Sequence, residues 1–216
     1  MMIRVNRIHY PVTALGPGRR VGIWLQGCSI GCPGCASRDT WAEDPSKLID
    51  VGQLLAYFHA IDGPIDGVTI SGGEPFEQPE ALHALLEALY RWREESGRSF
   101  DLLCYSGLPL ARLRRDHAGV LALLDALIPE PFVDRLEPEG PWRGSANQPL
   151  VLLSALGERR FAGSVLASAQ ERPSIQVDVR GGEVWFIGIP RRGDLDRIVD
   201  AGRKQGIEMQ GASWRS

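Results

Sequence analysis

The chain has 216 residues, 44% hydrophobic and 24% charged, with 24 Lys+Arg against 27 Asp+Glu and a formal net charge of −3. This is ordinary globular usage with apolar sequence enough for one sizeable core, and the acidic balance argues against a surface that binds nucleic acid by neutralising phosphates. No apolar run approaches membrane-spanning length and no apolar leader follows the early Arg4 and Arg7, so a cytoplasmic protein without membrane contact is expected.

In chain order, residues 3–10 fit a strand or hairpin arm. Residues 21–26 (VGIWLQ) form a continuous apolar run, suited to a strand buried in a parallel sheet. A helix starts near Asp50, with Gln53 three residues on, and turns Leu54, Leu55 and Phe58 inward. Residues 67–71 (GVTIS) read as a second strand. Gln78 and Pro79 then open a long helix, in which Leu82, Leu85, Leu86 and Leu89 make one apolar stripe. Residues 101–105 (DLLCY) are a third strand. Residues 108–127 look helical with a break near Gly119, and residues 126–133 run into a strand-like segment interrupted by Pro129 and Pro131. This alternation predicts βα units around a parallel sheet. Beyond it, residues 156–173 carry no clear pattern. Residues 175–179 and 184–189 flank Gly181-Gly182 as a hairpin, and Leu195, Ile198, Val199 and Gly202 mark a final helix face. The basic clusters Arg112/Arg114/Arg115 and Arg191/Arg192 read as solvated charges.

Three of the four cysteines fall within eight residues, in Cys28-Ser-Ile-Gly-Cys32-Pro-Gly-Cys35, directly after the first buried strand. Disulfides are rare in the cytosol, so metal binding or catalysis is the expected use. Gly27, Gly31, Pro33 and Gly34 make the segment a loop able to wrap a compact inorganic core and aim amides at it. Cuboidal iron–sulfur clusters normally take four thiolates, so three would leave one iron open. A zinc site with His59 or Cys104 as fourth ligand fits the spacing too. Cys104, inside an apolar strand, is better read as a small buried residue. Residues 71–75 (SGGEP) end the second strand, where parallel sheets place ligands. Gly72 and Gly73 there allow close backbone approach, and Glu74 offers a carboxylate to an ammonium group.

The combination of CxxxCxxC after a first strand and GGEP after a second resembles the radical S-adenosylmethionine superfamily. The resemblance implies an α/β fold, an open, partial parallel βα barrel of radical SAM type, with residues 1–153 as the core. Residues 154–216 would be an extension of hairpin and helix packed on that core. It also implies a [4Fe–4S] cluster on Cys28, Cys32 and Cys35. S-adenosyl-L-methionine would chelate the open iron, its amino end held by Gly72, Gly73 and Glu74. Further segments resemble the small activating enzymes of glycyl radical proteins. These are GPGRR at 16–20, the QGC and PGC around the cluster loop, DTW at 39–41, YSG at 105–107, and PFV at 131–133 followed by RGSANQ at 143–148. From that likeness Ser106, Arg143, Ser145 and Asn147 are expected at the cofactor. The implied partners are a glycyl radical protein of the anaerobic ribonucleotide reductase or pyruvate formate-lyase type, and a one-electron donor such as flavodoxin or ferredoxin.

Several residues depart from the branch pattern. Ala36 and Ser37 stand where an aromatic and an asparagine are usual, and Pro129-Glu130 stands where a small Asp-Gly turn is usual. Two other functions are compatible with the sequence: a radical enzyme acting on a small molecule, in the manner of carboxydeazaguanine synthases, and a non-catalytic iron–sulfur or zinc module. Glu74 and the RGSANQ segment argue against the module, which would need neither.

Overall fold

The structure is a computed structural model that describes residues 1–167, 175–209 and 211–214. The elements in order are β1 (Met2–Val12), β2 (Arg20–Leu25), β3 (Leu48–Asp50), α1 (Val51–His59), β4 (Gly67–Gly72), α2 (Pro79–Ser96) and β5 (Asp101–Tyr105). There follow α3 (Leu110–Asp116), α4 (Ala118–Leu121), β6 (Ala126–Ile128), β7 (Val151–Leu152), α5 (Ala155–Ala167), β8 (Ile175–Arg180), β9 (Glu183–Gly188) and α6 (Asp194–Lys204).

Seven strands form one open sheet in the order β3-β1-β2-β4-β5-β6-β7. Its centre, β2-β4-β5-β6, is parallel, and β1, β3 and β7 add antiparallel strands at its flanks. The βα alternation is therefore realised as an unclosed parallel sheet. Both faces are covered, which is why β2 is buried along its whole length and reads as an unbroken apolar run. Pro79 starts α2 and Gly97, at φ 64, ends it in the left-handed conformation that glycine adopts without strain. Leu82, Leu85, Leu86 and Leu89 are fully buried against the sheet. Asp50 caps α1 by accepting the amide of Gly52 (2.8 Å), with the Gln53 amide also directed at its carboxylate.

The helical stretch expected over 108–127 breaks at His117, two residues before Gly119. His117 ends α3 and caps α4, with its ring 5.1 Å from that of Phe76. The patternless stretch from 156 contains most of α5; its part from 168 to 173 lies outside the described residues. Phe161 of α5 packs fully buried among Leu103, Ala126, Ile128 and Trp142, so this helix completes the sheet's cover. The low periodicity of α5 has a reason. Gly157 presses its backbone on the Asp125 carbonyl, where a Cβ would come within 2.0 Å.

Hairpin β8–β9 turns through Gly181 and Gly182, both at positive φ as such a tight turn requires. It docks on β1: the Gln176 side chain accepts from the Thr13 amide (2.8 Å) and donates to the Pro11 carbonyl (2.8 Å), and Arg180 donates to the Tyr10 carbonyl (2.7 Å). The His9 ring lies 4.8 Å from that of Trp185, and Ile187 joins Val12, Leu15 and Trp24 in a separate apolar cluster.

At the amino ends of the parallel strands, Arg20 and Asp101 are both fully buried and paired. The guanidinium also donates to Thr69 Oγ1 (2.6 Å), the Pro17 carbonyl (3.1 Å) and the Val68 carbonyl (3.0 Å). A buried pair so completely hydrogen-bonded offsets much of the cost of removing two charges from water.

Candidate functional site

At the opposite, carboxyl ends of β2, β4 and β5, three loops meet. The cluster loop leaves β2 and is held to the end of β4 by backbone bonds: Gly73 donates to the Leu25 carbonyl (2.9 Å) and Glu74 to the Gly27 carbonyl (2.8 Å). The contact is too tight for side chains. A Cβ on Gly73 would stand 2.2 Å from the Gly27 oxygen, and one on Gly72 would stand 2.5 Å from the Leu25 nitrogen. The Gly72-Gly73 pair is thus a backbone-on-backbone joint.

Cys28, Cys32, Cys35, Gly72, Gly73, Glu74 and Ser106 all line one cavity of about 150 Å³, together with Trp41, Tyr105, Phe132 and Gln148. The amides of Ile30 and Gly31 point at the Cys28 thiol, that of Phe132 at the Cys32 thiol, and that of Ser37 at the Cys35 sulfur (3.4 Å). Burial pushes the Cys28 and Cys32 thiols up, and these amides pull them back towards the thiolate. Among the described residues no three His, Cys, Asp or Glu side chains are grouped to hold a single metal ion. The three thiols line a wall instead. A cuboidal cluster takes one thiolate per iron, and the three cysteines on one cavity wall offer three. Neither proposed fourth zinc ligand is at hand. Cys104 is fully buried in β5 with its Sγ 3.4 Å from the Tyr105 carbonyl, and the His59 ring at the end of α1 lies 5.2 Å from that of Trp92 on α2.

Glu74, 1% exposed, is committed within the protein. One oxygen accepts from the Phe76 amide (3.0 Å) and the Ser106 hydroxyl (2.8 Å), the other from the Gly107 amide (2.7 Å). Burial pushes its carboxyl above the usual carboxylate range, and the three donors oppose that. The carboxylate therefore ties the loop after β4 to the loop after β5, while the backbone of residues 72–74 forms the shelf beside the cysteines. Tyr105 closes the next side, donating to the Trp142 carbonyl (2.7 Å).

Arg143, Ser145 and Asn147 stand behind this wall rather than in it. The Ser145 hydroxyl is fully buried and accepts from the Val133 amide (3.1 Å), and Asn147 donates to the Pro131 carbonyl (2.8 Å). The guanidinium of Arg143 lies against Gly140. The residue of that segment facing the cavity is Gln148. It accepts from Gly144 (3.0 Å) and Ser145 (3.2 Å) and donates to the Glu130 carbonyl (2.8 Å). Its membership of the RGSANQ signature was the sequence signal for it. Gly107 and Phe132 likewise lay inside quoted motifs without being singled out. Where small turn residues are usual, Glu130 adopts φ 82, anchored by its own carboxylate on the Leu110 amide (3.0 Å).

The family model described as a 4Fe-4S single cluster domain matches residues 14–151. The chain belongs to this family of iron–sulfur proteins, and within it to the radical S-adenosylmethionine enzymes. It is 30% identical over 145 residues to the anaerobic ribonucleoside-triphosphate reductase-activating protein of Escherichia coli K12, covering 65% of this chain and 93% of that one. The protein of that name from Pasteurella multocida is 31% identical over 147 residues (65% and 92%), and that of Enterobacteria phage T4 is 27% identical over 136 (62% and 85%). Among solved structures, QueE from Escherichia coli superimposes with a TM-score of 0.44 at 13% identity, over 96% of this chain and 92% of that one.

The cofactors of the class are a [4Fe–4S] cluster and S-adenosylmethionine, and the donor set fits them: three thiolates with inward amides, next to a glycine shelf open to a ligand.

Proposed function

We propose that this protein generates a glycyl radical on a partner enzyme of the anaerobic ribonucleoside-triphosphate reductase kind. The observation that carries the reading is the kinship with activating proteins over 93% of the length of the Escherichia coli relative, in a chain whose cysteines and glycine shelf share one cavity. In this reading Cys28, Cys32 and Cys35 hold the cluster, and the backbone of Gly72, Gly73 and Glu74 seats the amino end of S-adenosylmethionine. When bound, these cofactors would supply a 5′-deoxyadenosyl radical for hydrogen-atom abstraction. Glu74 and Ser106 keep the shelf level by joining two strand ends. Trp41 shuts water from the cysteine side, and Tyr105 and Gln148 hold the far wall. A one-electron donor of the flavodoxin or ferredoxin type supplies the reducing electron.

The test is anaerobic reconstitution with iron and sulfide, reduction with S-adenosylmethionine, and addition of the anaerobic reductase of the same organism. The reading expects 5′-deoxyadenosine and a glycyl doublet in the electron paramagnetic resonance spectrum of the reductase. Formation of 5′-deoxyadenosine with no glycyl doublet would rule activation out, and absence of both would rule out radical chemistry.

A further inference from the structure

One short turn serves two loops of the site. Pro75–Glu77 follows the glycine shelf as a 3-10 turn, with the Glu77 amide donating to the Glu74 carbonyl (3.1 Å). Glu74, which caps this turn, reaches the loop after β5. Glu77, which ends it, reaches the cluster loop instead. Its Oε1 accepts both the Ser29 amide (2.8 Å) and the Ser29 hydroxyl (2.5 Å). Ser29 is the residue next to Cys28, so this contact holds the first cysteine's end of the loop to the turn behind the shelf.

Glu77 is exposed and enters no ion pair among the described residues. No Lys or Arg stands among the residues that line the cysteine cavity. A wider cavity of about 440 Å³ adjoins it past Cys35 and carries charges of both signs, among them Arg191 and Asp134, with Trp214 in the same lining. The carboxylate beside Cys28 therefore has no cation set against it. Burial is the chief cause that raises the Cys28 thiol and the Glu74 carboxyl, and the Glu77 charge adds to it at both, so its field reaches the cysteine and the shelf alike.

We infer that Glu77 is a positioning residue for the cluster: it ties the chain next to Cys28 to the turn behind the glycine shelf, and its charge holds the cluster's reduction potential down. The inference rests on the reading that Cys28 holds an iron. Reduction adds one negative charge to the cluster, and a carboxylate close by opposes it through Coulomb repulsion. A cluster that is harder to reduce is a stronger reductant once it holds the electron, which is what cleavage of a sulfonium asks of it. Because Glu77 is exposed, dissolved salt screens the repulsion.

Glu77→Gln tests this, because an amide oxygen still accepts from Ser29 while the charge is gone. In the reconstituted protein, titrated anaerobically with redox dyes and followed by visible absorption, the cluster of Glu77→Gln should be about three- to tenfold easier to reduce, or about 30–60 mV for one electron. Iron bound per chain should match wild type, and the shift should shrink at about 1 M salt. Glu77→Ala should show the same shift. It should also quicken hydrogen exchange in the 29–31 loop by about three- to tenfold, through loss of a bond that the glutamine retains. An unmoved potential in Glu77→Gln overturns the inference. So does a shift that salt leaves undiminished, which would be a packing effect, or loop exchange no faster in Glu77→Ala than in Glu77→Gln. A wild-type protein that takes up no cluster, or a Cys28→Ala variant that takes one up as wild type does, refutes the ligand assignment itself and this inference with it.

Discussion

Cysteine roles separate by environment. Cys32 borders the cavity with an amide aimed at its sulfur, whereas Cys104 is fully buried and its thiol is held well above the usual range by burial. Cys32→Ala should therefore abolish 5′-deoxyadenosine formation and lower the iron bound per chain. Cys104→Ala should keep both and lose about 1 kcal/mol of stability to the small cavity it leaves. Iron analysis beside denaturant unfolding checks the pair. Glu130 makes a second residue-level case. At φ 82 an L-residue is strained by about 1 kcal/mol, and its carboxylate partly compensates through the Leu110 amide. Glu130→Gly and Glu130→Ala both lose that bond, but the glycine variant should be the more stable by about 1 kcal/mol in a denaturant titration. A pattern of residue types has no way of showing that a glutamate occupies a glycine's conformation, because the cost is met by a contact twenty residues upstream.

Among elements, the parallel strands and α2 were legible in the chain because burial on both faces and a single apolar stripe leave plain periods. The break at His117 was legible only to within two residues, since the ring contact with Phe76 decides it and Gly119 does not. α5 was illegible, because its close contact at Gly157 replaces the usual stripe. The docking of β8–β9 was also illegible: that a hairpin forms is local, but where it lands depends on His9 meeting Trp185 and Gln176 meeting Pro11 and Thr13 across the fold. That docking is acid-sensitive. Burial, then the nearby Arg180 charge, hold the His9 imidazole below its ordinary value of 6.5, against the pull of Asp178 3.0 Å away. A released hairpin would let His9 bind a proton more readily. Docking stability is thus full above about pH 6.5 and is lost as pH falls through the lowered value. Hydrogen exchange of β9 amides, corrected for intrinsic rates, should quicken between pH 7 and pH 5, and His9→Phe should flatten that dependence.

For the whole molecule, the cysteine loop and GGEP segment announced the chemistry because inorganic ligation demands residue types at fixed spacing. The cavity beside the cysteines announced nothing of its outer wall, since Trp214 and Arg191 are brought to it by tertiary structure alone. Stability of the whole rests heavily on the pair at the foot of the sheet. Asp101→Ala would leave Arg20 charged, fully buried and short of its partner, and should cost about 3–5 kcal/mol in denaturant unfolding.

The same pair also bears on how the chain finds its registry while folding. Arg20 begins β2, Thr69 and the Val68 carbonyl belong to β4, and Asp101 begins β5, so the guanidinium is satisfied only when three strands are aligned in one way. From that foot the ladder runs Arg20↔Gly67 up to Leu25↔Gly72. A slip of one residue would move each strand end by about 3.3 Å and turn its side chains to the other face. Gly72 and Gly73 would then miss the cluster loop, and the thiols would lose their shelf. A charge pair remote from the chemistry thus favours the one strand alignment that brings Gly72 and Gly73 under the cluster loop.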